Sequence, residues 1–280
     1  DVSDTIGVTE AIRKIQPDKI FHLAAMSFVP DSWRNPVSTF QTNVIGTINV
    51  LEAVRLYSPH SIVQIAGSSE EYGMIKPEEI PFKETAPLRP LSPYSVSKIA
   101  ADMLGFQYYQ SYGIKTIRTR AFNHCGPRRG EKFVISNLVK QALLVKNGVQ
   151  DYIKVGNLEA VRDFLHVQSV TKAYWAISEL DMSIYAGDVF NIASGVGHKI
   201  KNILMLILVY FGLPDSVVKE DPERLRPSDL PILVGDASKL IKATGWKPDG
   251  NINTIIEGLA HYWIEKLNKE QNNLFNINRN

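Results

Sequence analysis

The sequence predicts an α/β fold built on a doubly wound parallel sheet, and two observations support this. Short apolar segments of strand length alternate with segments of helical periodicity, which is typical of a parallel sheet covered by helices. Polar residues able to do chemistry follow directly after one of these segments, at the edge where open parallel sheets bind ligands. The four predicted strands are residues 19–25, 61–66, 115–119 and 188–192.

Helical segments lie between and after these strands. The first two, residues 38–56 and 94–112, have the length and periodicity of helices that cover a sheet. Beyond Asn123 the alternation loosens, which predicts a smaller α+β region that folds back over the sheet edge. The helices predicted there are residues 136–147, 167–180, 201–211 and 254–268.

The composition excludes several classes of protein. With 280 residues, of which 44% are hydrophobic and 21% charged, the chain is long enough to bury a large core. Its formal charge is only +2 and its Lys and Arg residues are scattered, so we expect a small-molecule partner and no nucleic acid. The single cysteine, Cys125, excludes intramolecular disulfides and Cys-based zinc clusters. The longest apolar run, residues 203–211, is too short to cross a bilayer, so we expect a cytoplasmic protein with no membrane partner.

The most informative motif is a tyrosine followed four residues later by a lysine, Tyr94 and Lys98. On a helix these two side chains lie on one face. The predicted strand at residues 61–66 places Ser68 and Glu70 just beyond its carboxyl end, where ligands bind. A phenol, an ammonium, a hydroxyl and a carboxylate can therefore share one site. An isolated Tyr-x-x-x-Lys pattern is more often an ordinary helix start with a solvated lysine, so the flanking motifs decide between the two interpretations.

Those flanking motifs resemble the extended short-chain dehydrogenase/reductase family and, within it, the branch that modifies GDP-hexoses. The matching segments extend over nearly the whole chain, and their combined order is more specific than any one of them. They are His22-Leu23-Ala24-Ala25, Asn43-Val44-Ile45-Gly46-Thr47, Gly67-Ser68-Ser69-Glu70-Glu71-Tyr72-Gly73, Tyr94-x-x-x-Lys98, Arg120-Ala121-Phe122-Asn123-His124, Pro127-Arg128-Arg129-Gly130, Val161-Arg162-Asp163-Phe164, Leu225-Arg226-Pro227-Ser228-Asp229 and Thr244-Gly245-Trp246-Lys247-Pro248.

The resemblance implies a Rossmann-like sheet and an NADP-dependent reaction on a GDP-hexose, with NAD as the other candidate cofactor. It implies a homodimer or homotetramer and no metal site. The implied catalytic residues are Ser68, Glu70, Tyr94 and Lys98. The implied cofactor-binding residues are Asp1, Leu23, Ala24, Ala25, Asn43, Tyr94, Lys98, His124 and Arg129. The implied substrate-binding residues are Ser69, Asn123, Arg162 and Arg226, whose two arginines are expected near the diphosphate.

In such a reaction Tyr94 removes or supplies the hydroxyl proton at C4 of the sugar. A phenol has an ordinary pKa of about 10, and the nearby charge of Lys98 is expected to lower it. Ser68 hydrogen-bonds the same oxygen. Glu70 abstracts the C5 proton once C4 is a ketone, and helps hydroxide leave C6 as water. The plainer interpretation of Glu70 is a loop carboxylate paired with a lysine. We assign no chemistry to Glu71, because neighbouring side chains on an extended turn point apart.

Several activities remain open within the resemblance. GDP-mannose 4,6-dehydratase is the leading interpretation, favoured by Glu70 and by the loop at residues 123–131. The alternative is GDP-6-deoxy-D-mannose 4-keto reductase, favoured by residues 156–164 and by Ile135-Ser136-Asn137, which stands where many dehydratases have a basic residue. An epimerase shares the serine, tyrosine and lysine but does not require the glutamate.

The beginning of the chain departs from the family pattern. Nothing in the first sixty residues resembles the Gly-x-Gly-x-x-Gly turn that holds a dinucleotide pyrophosphate. The resemblance places Asp1 after the third strand of the family, so about two βα units of ~30 residues each are expected to be missing. The predicted regions are an incomplete dinucleotide-binding region, residues 1–122 with about 167–192, and a nucleotide-sugar-binding region, residues 123–166 and 193–280. A truncated, inactive nucleotide-sugar-binding remnant is therefore a further alternative.

Overall fold

The computed structural model describes residues 1–74, 76–225 and 229–277. The strands are β1 (Lys19–His22), β2 (Ile62–Ala66), β3 (Thr116–Ala121), β4 (Asn123–Cys125), β5 (Ile153–Val155), β6 (Val161–His166), β7 (Val189–Ile192), β8 (Gly197–Lys199), β9 (Val218–Glu220) and β10 (Ile232–Leu233). The helices are α1 (Thr5–Ile15), α2 (Val29–Arg34), α3 (Pro36–Phe40), α4 (Gly46–Tyr57), α5 (Pro93–Tyr112), α6 (Val134–Lys146), α7 (Val167–Ser178), α8 (Met182–Tyr185), α9 (Ile200–Phe211), α10 (Ser238–Thr244) and α11 (Ile252–Ile277).

The four predicted strands pair side by side as one parallel sheet in the order β1-β2-β3-β7. In this register Ile65 of β2 lies opposite Arg118 of β3, and Arg120 of β3 lies opposite Asn191 of β7. Every residue of β3 is buried, as expected for a parallel strand with helices on both faces of its sheet. The predicted fold class, a Rossmann-like parallel sheet with additional smaller elements, is confirmed.

The helix predicted at residues 38–56 is present but contains an irregular turn. Between α3 and α4 the chain makes a π-helical turn, Gln41–Ile45. Within this turn the Asn43 side chain accepts a hydrogen bond from the backbone N–H of Met26 at 2.8 Å and donates one to its carbonyl at 3.2 Å. These bonds hold the segment after β1 against the helix, and β1 ends at His22 rather than at residue 25.

A second sheet begins where the first one ends. β3 ends at Ala121, and β4 begins at Asn123 and pairs in parallel with β6. β6 also pairs in parallel with β10 and antiparallel with β8, while β5 and β9 form a separate parallel pair. The sequence did not predict these strands, because β4, β5, β8, β9 and β10 have only two or three residues and β6 contains charged residues that interrupt its apolar pattern. The predicted division at residues 122 and 123 stays a prediction, although the chain changes sheets there.

Clusters of buried apolar side chains hold these elements together. One cluster, which includes Leu51, Val54 and Ile65, packs α1 and α4 on β2. The other two meet at the carboxyl end of the main sheet. The central cluster includes Ile117, Phe122, Leu165, Val170 and Phe190. The cluster of the second half includes Cys125, Ile135, Leu138, Ile207 and Leu259, and it joins α6, α9 and α11. In the part of the chain that the structure describes, every helix is too short or too polar to span a bilayer.

Candidate active site

A cavity of about 350 Å³ opens where β2 and β3 end, between the central cluster and the cluster of the second half. Its volume lies in the range of small-molecule sites. It brings together most of the side chains that the sequence singled out. The predicted residues that line it are Leu23, Ala25, Ser68, Ser69, Glu70, Tyr94, Lys98, Asn123, His124 and Arg129.

The turn that carries Ser68 and Glu70 is fixed by hydrogen bonds at the end of β2. The N–H of Gly67 donates to the carbonyl of Thr119 at 2.7 Å, which keeps this segment attached to β3. The Ser68 hydroxyl then accepts from the N–H of Glu70 at 3.2 Å, and it caps the 3-10 turn Ser69–Glu71. Ser68 and Glu70 are therefore placed at the cavity by the strand that precedes them.

Tyr94 lies in the first turn of α5, which begins with a capping box. The Ser92 hydroxyl accepts from the N–H of Ser95 at 3.1 Å, and the Ser95 hydroxyl accepts from the N–H of Ser92 at 3.0 Å. Burial raises the pKa of the Tyr94 phenol, a hydrogen bond with the Ser68 side chain lowers it, and the charge of Glu70 raises it. The pKa of this phenol is therefore raised, and the lowering that the sequence predicted from Lys98 is wrong, because burial dominates and the cation that lowers the pKa is Arg129. Near neutral pH this phenol carries its proton.

Lys98 lies one turn further along α5 and is also buried. Its Nζ donates a hydrogen bond to the carbonyl of Ala66, the last residue of β2, at 2.6 Å. Burial lowers the pKa of this ammonium to about 8, and the charge of Glu71 opposes that change. At pH 7 Lys98 is still mostly charged, and it supplies a cation to the cavity.

Three of the predicted cofactor residues are not part of the cavity wall. The Asn43 side chain is buried and binds Met26 and the Ser97 hydroxyl, so it supports the cavity from behind. Asp1 is exposed at the start of the chain, where its carboxylate accepts from Ser3. Ala24 is exposed between the lining residues Leu23 and Ala25.

The segment after β3 supplies the opposite side of the cavity. The Nδ1 of His124 lies 3.0 Å from the carbonyl of Phe122, and burial lowers the pKa of this imidazole, so it is neutral. The Arg129 guanidinium lies 3.4 Å from the centre of the Phe133 ring. Burial lowers the pKa of Arg129, and none of the carboxylates in the described residues pairs with it. This side of the cavity therefore holds a cation that lacks a counter-charge.

Of the two predicted diphosphate arginines, only Arg162 lies within the described residues, and it is not part of the cavity wall. Arg162 lies on β6, and its Nη2 donates to a carboxylate oxygen of Asp229 at 2.6 Å. Its side chain is buried and does not line the cavity wall. Arg226 lies outside the described residues, so its predicted role stays a prediction.

Sequence reasoning missed a group of buried charges directly behind the site. Glu71, Asp102, Arg118 and Arg120 are all buried and joined by ion pairs. Asp102 follows Lys98 by four residues, so the same helical spacing that selected Tyr94 and Lys98 could have indicated it. Among the described residues, no group of three or more His, Cys, Asp or Glu side chains is placed to hold a metal ion.

The cavity residues are compatible with the nicotinamide end of a dinucleotide, the cofactor that the resemblance implies. Leu23, Ala25 and Ala66 form an apolar part of the cavity wall that is suited to a flat ring. Lys98 offers a donor next to that surface. The half-buried cation of Arg129 suits a phosphate, since a charge that is partly removed from water is costly without a partner. The chain thus has groups for a ring and for an anion within one cavity.

Known proteins share this arrangement of elements. Residues 1–259 match the protein family described as GDP-mannose 4,6 dehydratase. A GDP-6-deoxy-D-mannose reductase from Pseudomonas aeruginosa is 32% identical over 91% of this chain and 83% of its own. GDP-mannose 4,6 dehydratase 2 from Arabidopsis thaliana is 32% identical over 97% of this chain and 72% of its own. The solved structure of RMD from Pseudomonas aeruginosa complexed with NADPH has a TM-score of 0.87 and 30% identity, covering 95% of this chain and 87% of that one.

Proposed function

The chain belongs to the GDP-mannose 4,6-dehydratase family of extended short-chain dehydrogenases/reductases, and from this premise we propose that it is an NADP-dependent GDP-mannose 4,6-dehydratase. One observation carries the proposal: Glu70 lines the same cavity as Ser68, Tyr94 and Lys98. The latter three are enough for oxidation or reduction at C4. A carboxylate beside them adds the base that removes the C5 proton when water is eliminated.

The first step needs a proton acceptor at the C4 hydroxyl. Because burial keeps Tyr94 protonated near neutral pH, this step requires that ligands in the cavity favour its phenolate form. The phenolate Oη then takes the C4 hydroxyl proton, while Ser68 holds the C4 oxygen by a hydrogen bond. The bond between Ser68 and Tyr94 favours the phenolate, although burial opposes it. The charge of Arg129 in the same cavity also favours an anion there. The chemistry that NADP supplies when bound is hydride transfer, from C4 at the start and to C6 at the end.

Glu70 acts on the neighbouring carbons. With C4 oxidised to a ketone, the C5 proton becomes acidic and passes to the Glu70 carboxylate. Glu70 then returns that proton to the C6 hydroxyl, which leaves as water. The proton that Tyr94 took from the C4 hydroxyl balances the one that C5 regains. Tyr94 and Glu70 lie close enough for the charge of one to influence the pKa of the other, as two groups that act on adjacent carbons must.

We propose Arg129 as the residue that holds a cofactor phosphate. Its half-buried guanidinium lines the cavity and lies over the Phe133 ring, which leaves its N–H groups available to an anion in a fixed plane. Leu23 and Ala25 are proposed to contact the nicotinamide side. Ser69 and Asn123 also line the cavity and are proposed to contact the hexose. The NADPH of the Pseudomonas aeruginosa structure supports NADP as the cofactor.

A second candidate function is reduction of a GDP-4-keto-6-deoxyhexose. It is favoured by the Pseudomonas aeruginosa reductase, of which this chain covers a larger share than of the Arabidopsis thaliana dehydratase. In that reaction Tyr94 donates its proton to the C4 oxygen, which suits a phenol whose pKa burial raises. Glu70 then has no essential role.

One experiment separates these functions. The protein, expressed from its complete gene, is incubated with GDP-mannose and catalytic NADP, and separately with NADPH and the GDP-4-keto-6-deoxy sugar. We expect the 4-keto-6-deoxy product in the first reaction. NADPH consumption in the second reaction alone would replace dehydration with reduction. Turnover in neither, together with no binding of NADPH by fluorescence, would indicate an inactive nucleotide-sugar-binding protein.

We also propose that the protein forms a homodimer or homotetramer through α5. Val96 and Met103 are seven residues apart on one face of this helix, and both side chains are about 40% exposed. Exposed apolar faces of this kind are costly in water and mark interfaces. Light scattering should show that Met103→Glu lowers the oligomeric state, whereas Val209→Glu on the exposed face of α9 leaves it unchanged. A monomeric parent protein would contradict the proposal.

A further inference from the structure

The two halves of the site, the Ser68–Glu70 turn and the Tyr94–Lys98 helix, are joined behind the cavity by one arginine. Arg120 lies in the buried strand β3, between β2 and β7. Its Nε lies 3.0 Å from a carboxylate oxygen of Glu71 and also 3.0 Å from one of Asp102. One guanidinium therefore contacts a carboxylate from each half of the site.

Glu71 connects this arginine to the catalytic turn. One of its carboxylate oxygens accepts the backbone N–H of Ser68 at 2.6 Å, and the other faces Arg120. Ser68 and Glu70 lie on either side of that hydrogen bond in the chain. A shift of Glu71 would therefore displace the hydroxyl that faces C4 and the carboxylate that faces C5.

Asp102 connects the same arginine to the catalytic helix. Tyr94, Lys98 and Asp102 are spaced four residues apart, so they lie along one face of α5. Asp102 is also held by Arg118, whose Nη1 lies 2.5 Å from its other carboxylate oxygen. The position of Arg120 thus limits both the rotation and the translation of the helix face that carries Tyr94 and Lys98.

We propose that Glu71, Arg120 and Asp102 form a buried tether that sets the distance between the Ser68–Glu70 turn and the Tyr94–Lys98 helix face, with Glu71 and Asp102 as positioning residues. This inference rests on the proposed function, because it assigns these residues a role in that reaction. None of the three lines the cavity, so they act through the groups that they hold.

The charges of these four residues allow the tether to be removed without unfolding the protein. Two carboxyl groups, Glu71 and Asp102, face two guanidiniums, Arg118 and Arg120. Burial, together with the charge of Asp102, raises the pKa of Glu71 well above its usual range, so Asp102 is the main counter-charge of the two arginines. Removing Asp102 alone would leave both buried guanidiniums without it, which is strongly destabilising. Removing Glu71 and Arg120 together leaves Asp102 paired with Arg118 at 2.5 Å, and the buried charges stay balanced. The double variant therefore loses the tether while keeping a neutral interior.

The test compares Glu71→Gln, Glu71→Gln with Arg120→Met, and the control Asp163→Asn. Asp163 is a fully buried carboxylate that accepts backbone N–H bonds from Ser194 and Gly195, away from the cavity wall. Its substitution should reduce stability without moving the catalytic turn. Two measurements are made on the complete protein: hydrogen exchange of the Ser68 amide without ligands, and kcat and KM for the GDP-sugar.

For the double variant we expect Ser68 exchange to accelerate at least tenfold and kcat to fall by 10- to 100-fold, with KM within threefold, because small misplacements of catalytic groups act on kcat. Asp163→Asn should keep kcat within twofold. Unchanged Ser68 exchange in the double variant would overturn the tether. Recovery of kcat in the double variant relative to Glu71→Gln would also overturn the tether. In that case the loss of kcat in Glu71→Gln would come from charge imbalance alone. If the parent protein turns over neither GDP-sugar, the proposed function fails, and Ser68 exchange alone still decides whether the tether exists.

Discussion

The ammonium of Lys98 donates a hydrogen bond to the carbonyl of Ala66 across 2.6 Å, joining helix α5 to the end of strand β2. This bond fixes the cation beside the turn that carries Ser68. It also keeps a charged group in a place where burial lowers its pKa from 10.5 to about 8. The site therefore maintains its cation at a cost in stability.

Lys98→Met should abolish most of the activity and stabilise the fold at neutral pH. The lowered pKa corresponds to about 3 kcal/mol of unfavourable burial at about 1.4 kcal/mol per pKa unit. The lost hydrogen bond offsets about 1 kcal/mol of this. We therefore expect the free energy of unfolding to rise by about 2 kcal/mol, and kcat to fall at least 100-fold.

The lowered pKa of Lys98 also determines how the stabilisation by Lys98→Met changes with pH. Below pH 8 Lys98 is charged in both the folded and unfolded states, so its full cost is present. As the pH rises from 8 to 10.5 the folded state loses the proton first, and the cost disappears. The stabilisation of Lys98→Met should shrink over that range in urea titrations, while Lys115→Met, at an exposed lysine, shows no such trend. A variant less stable than the parent at pH 7 would contradict the burial cost.

Glu70→Gln should remove dehydration while leaving hydride chemistry at C4. A glutamine cannot abstract the C5 proton, so we expect formation of the 4-keto-6-deoxy sugar to fall by about 10²- to 10⁴-fold. Exchange of the C4 hydrogen between GDP-mannose and labelled NADPH should continue. The matched control is Glu78→Gln, because Glu78 is exposed in the turn Pro77–Glu79. Full dehydration by Glu70→Gln would remove the central support for the dehydratase function.

Sequence alone could predict the parts of the site that depend on neighbouring residues. Tyr94 and Lys98 share a helix face because they are four residues apart, and Ser68 and Glu70 directly follow a recognisable strand. Helices and strands have regular geometry, so the relative positions of residues close in the sequence can be predicted without knowing the rest of the fold. For the same reason the four strands of the main sheet were predictable from apolar segments.

The remaining parts depend on contacts between residues far apart in the chain. Glu71 meets Arg120 across 49 positions, and Arg162 meets Asp229 across 67. Whether an arginine faces a ligand or a carboxylate depends on which partner folding brings near, and single residues carry no sign of it. The substrate role of Arg162 and the cofactor role of Asn43 stay predictions. What the sequence could not give is the neighbours of these side chains, Asp229 for Arg162 and both Met26 and Ser97 for Asn43.

Gly67→Ala should destabilise the catalytic turn because no space exists for a methyl group. An added Cβ would lie 2.7 Å from the carbonyl oxygen of Thr119, which belongs to the backbone of β3, and would also meet the Glu71 carboxylate. Relieving these contacts requires movement of a buried strand, at about 1–3 kcal/mol. Thermal unfolding should show a lower Tm for Gly67→Ala than for Gly130→Ala, where the nearest atom is 4.0 Å away. Equal Tm values would contradict the close packing at this position.

His22 should make the protein sensitive to mild acid. Burial, and to a lesser degree the charge of Lys98, lower the pKa of this imidazole from 6.5 to about 4. Above pH 6.5 the side chain is neutral in both states. Between pH 6.5 and 4 the unfolded state binds a proton that the folded state does not, so stability falls by up to about 3 kcal/mol.

Substitution tests this acid sensitivity. His22→Gln can still hydrogen-bond Thr47, whose Oγ1 lies 3.0 Å from the imidazole Nε2, but it does not titrate. The loss of stability between pH 6.5 and 4 should therefore be smaller in His22→Gln than in the parent, as measured by urea titration. His60→Gln, at an exposed histidine, should keep the parent slope. Identical slopes for His22→Gln and the parent would place the acid sensitivity elsewhere.

Arg129→Met should weaken cofactor binding and stabilise the protein without ligand. The guanidinium is a half-buried cation that lies 3.4 Å from the centre of the Phe133 ring, so a phosphate that pairs with it gains a charge-assisted hydrogen bond of about 1.5–3 kcal/mol. We expect the Kd for NADPH, measured by fluorescence titration, to rise by about 10- to 100-fold. Arg128→Met is the matched control, because Arg128 is the exposed neighbour. If Arg129→Met instead weakens GDP binding and leaves NADPH binding unchanged, Arg129 holds the substrate diphosphate rather than the cofactor.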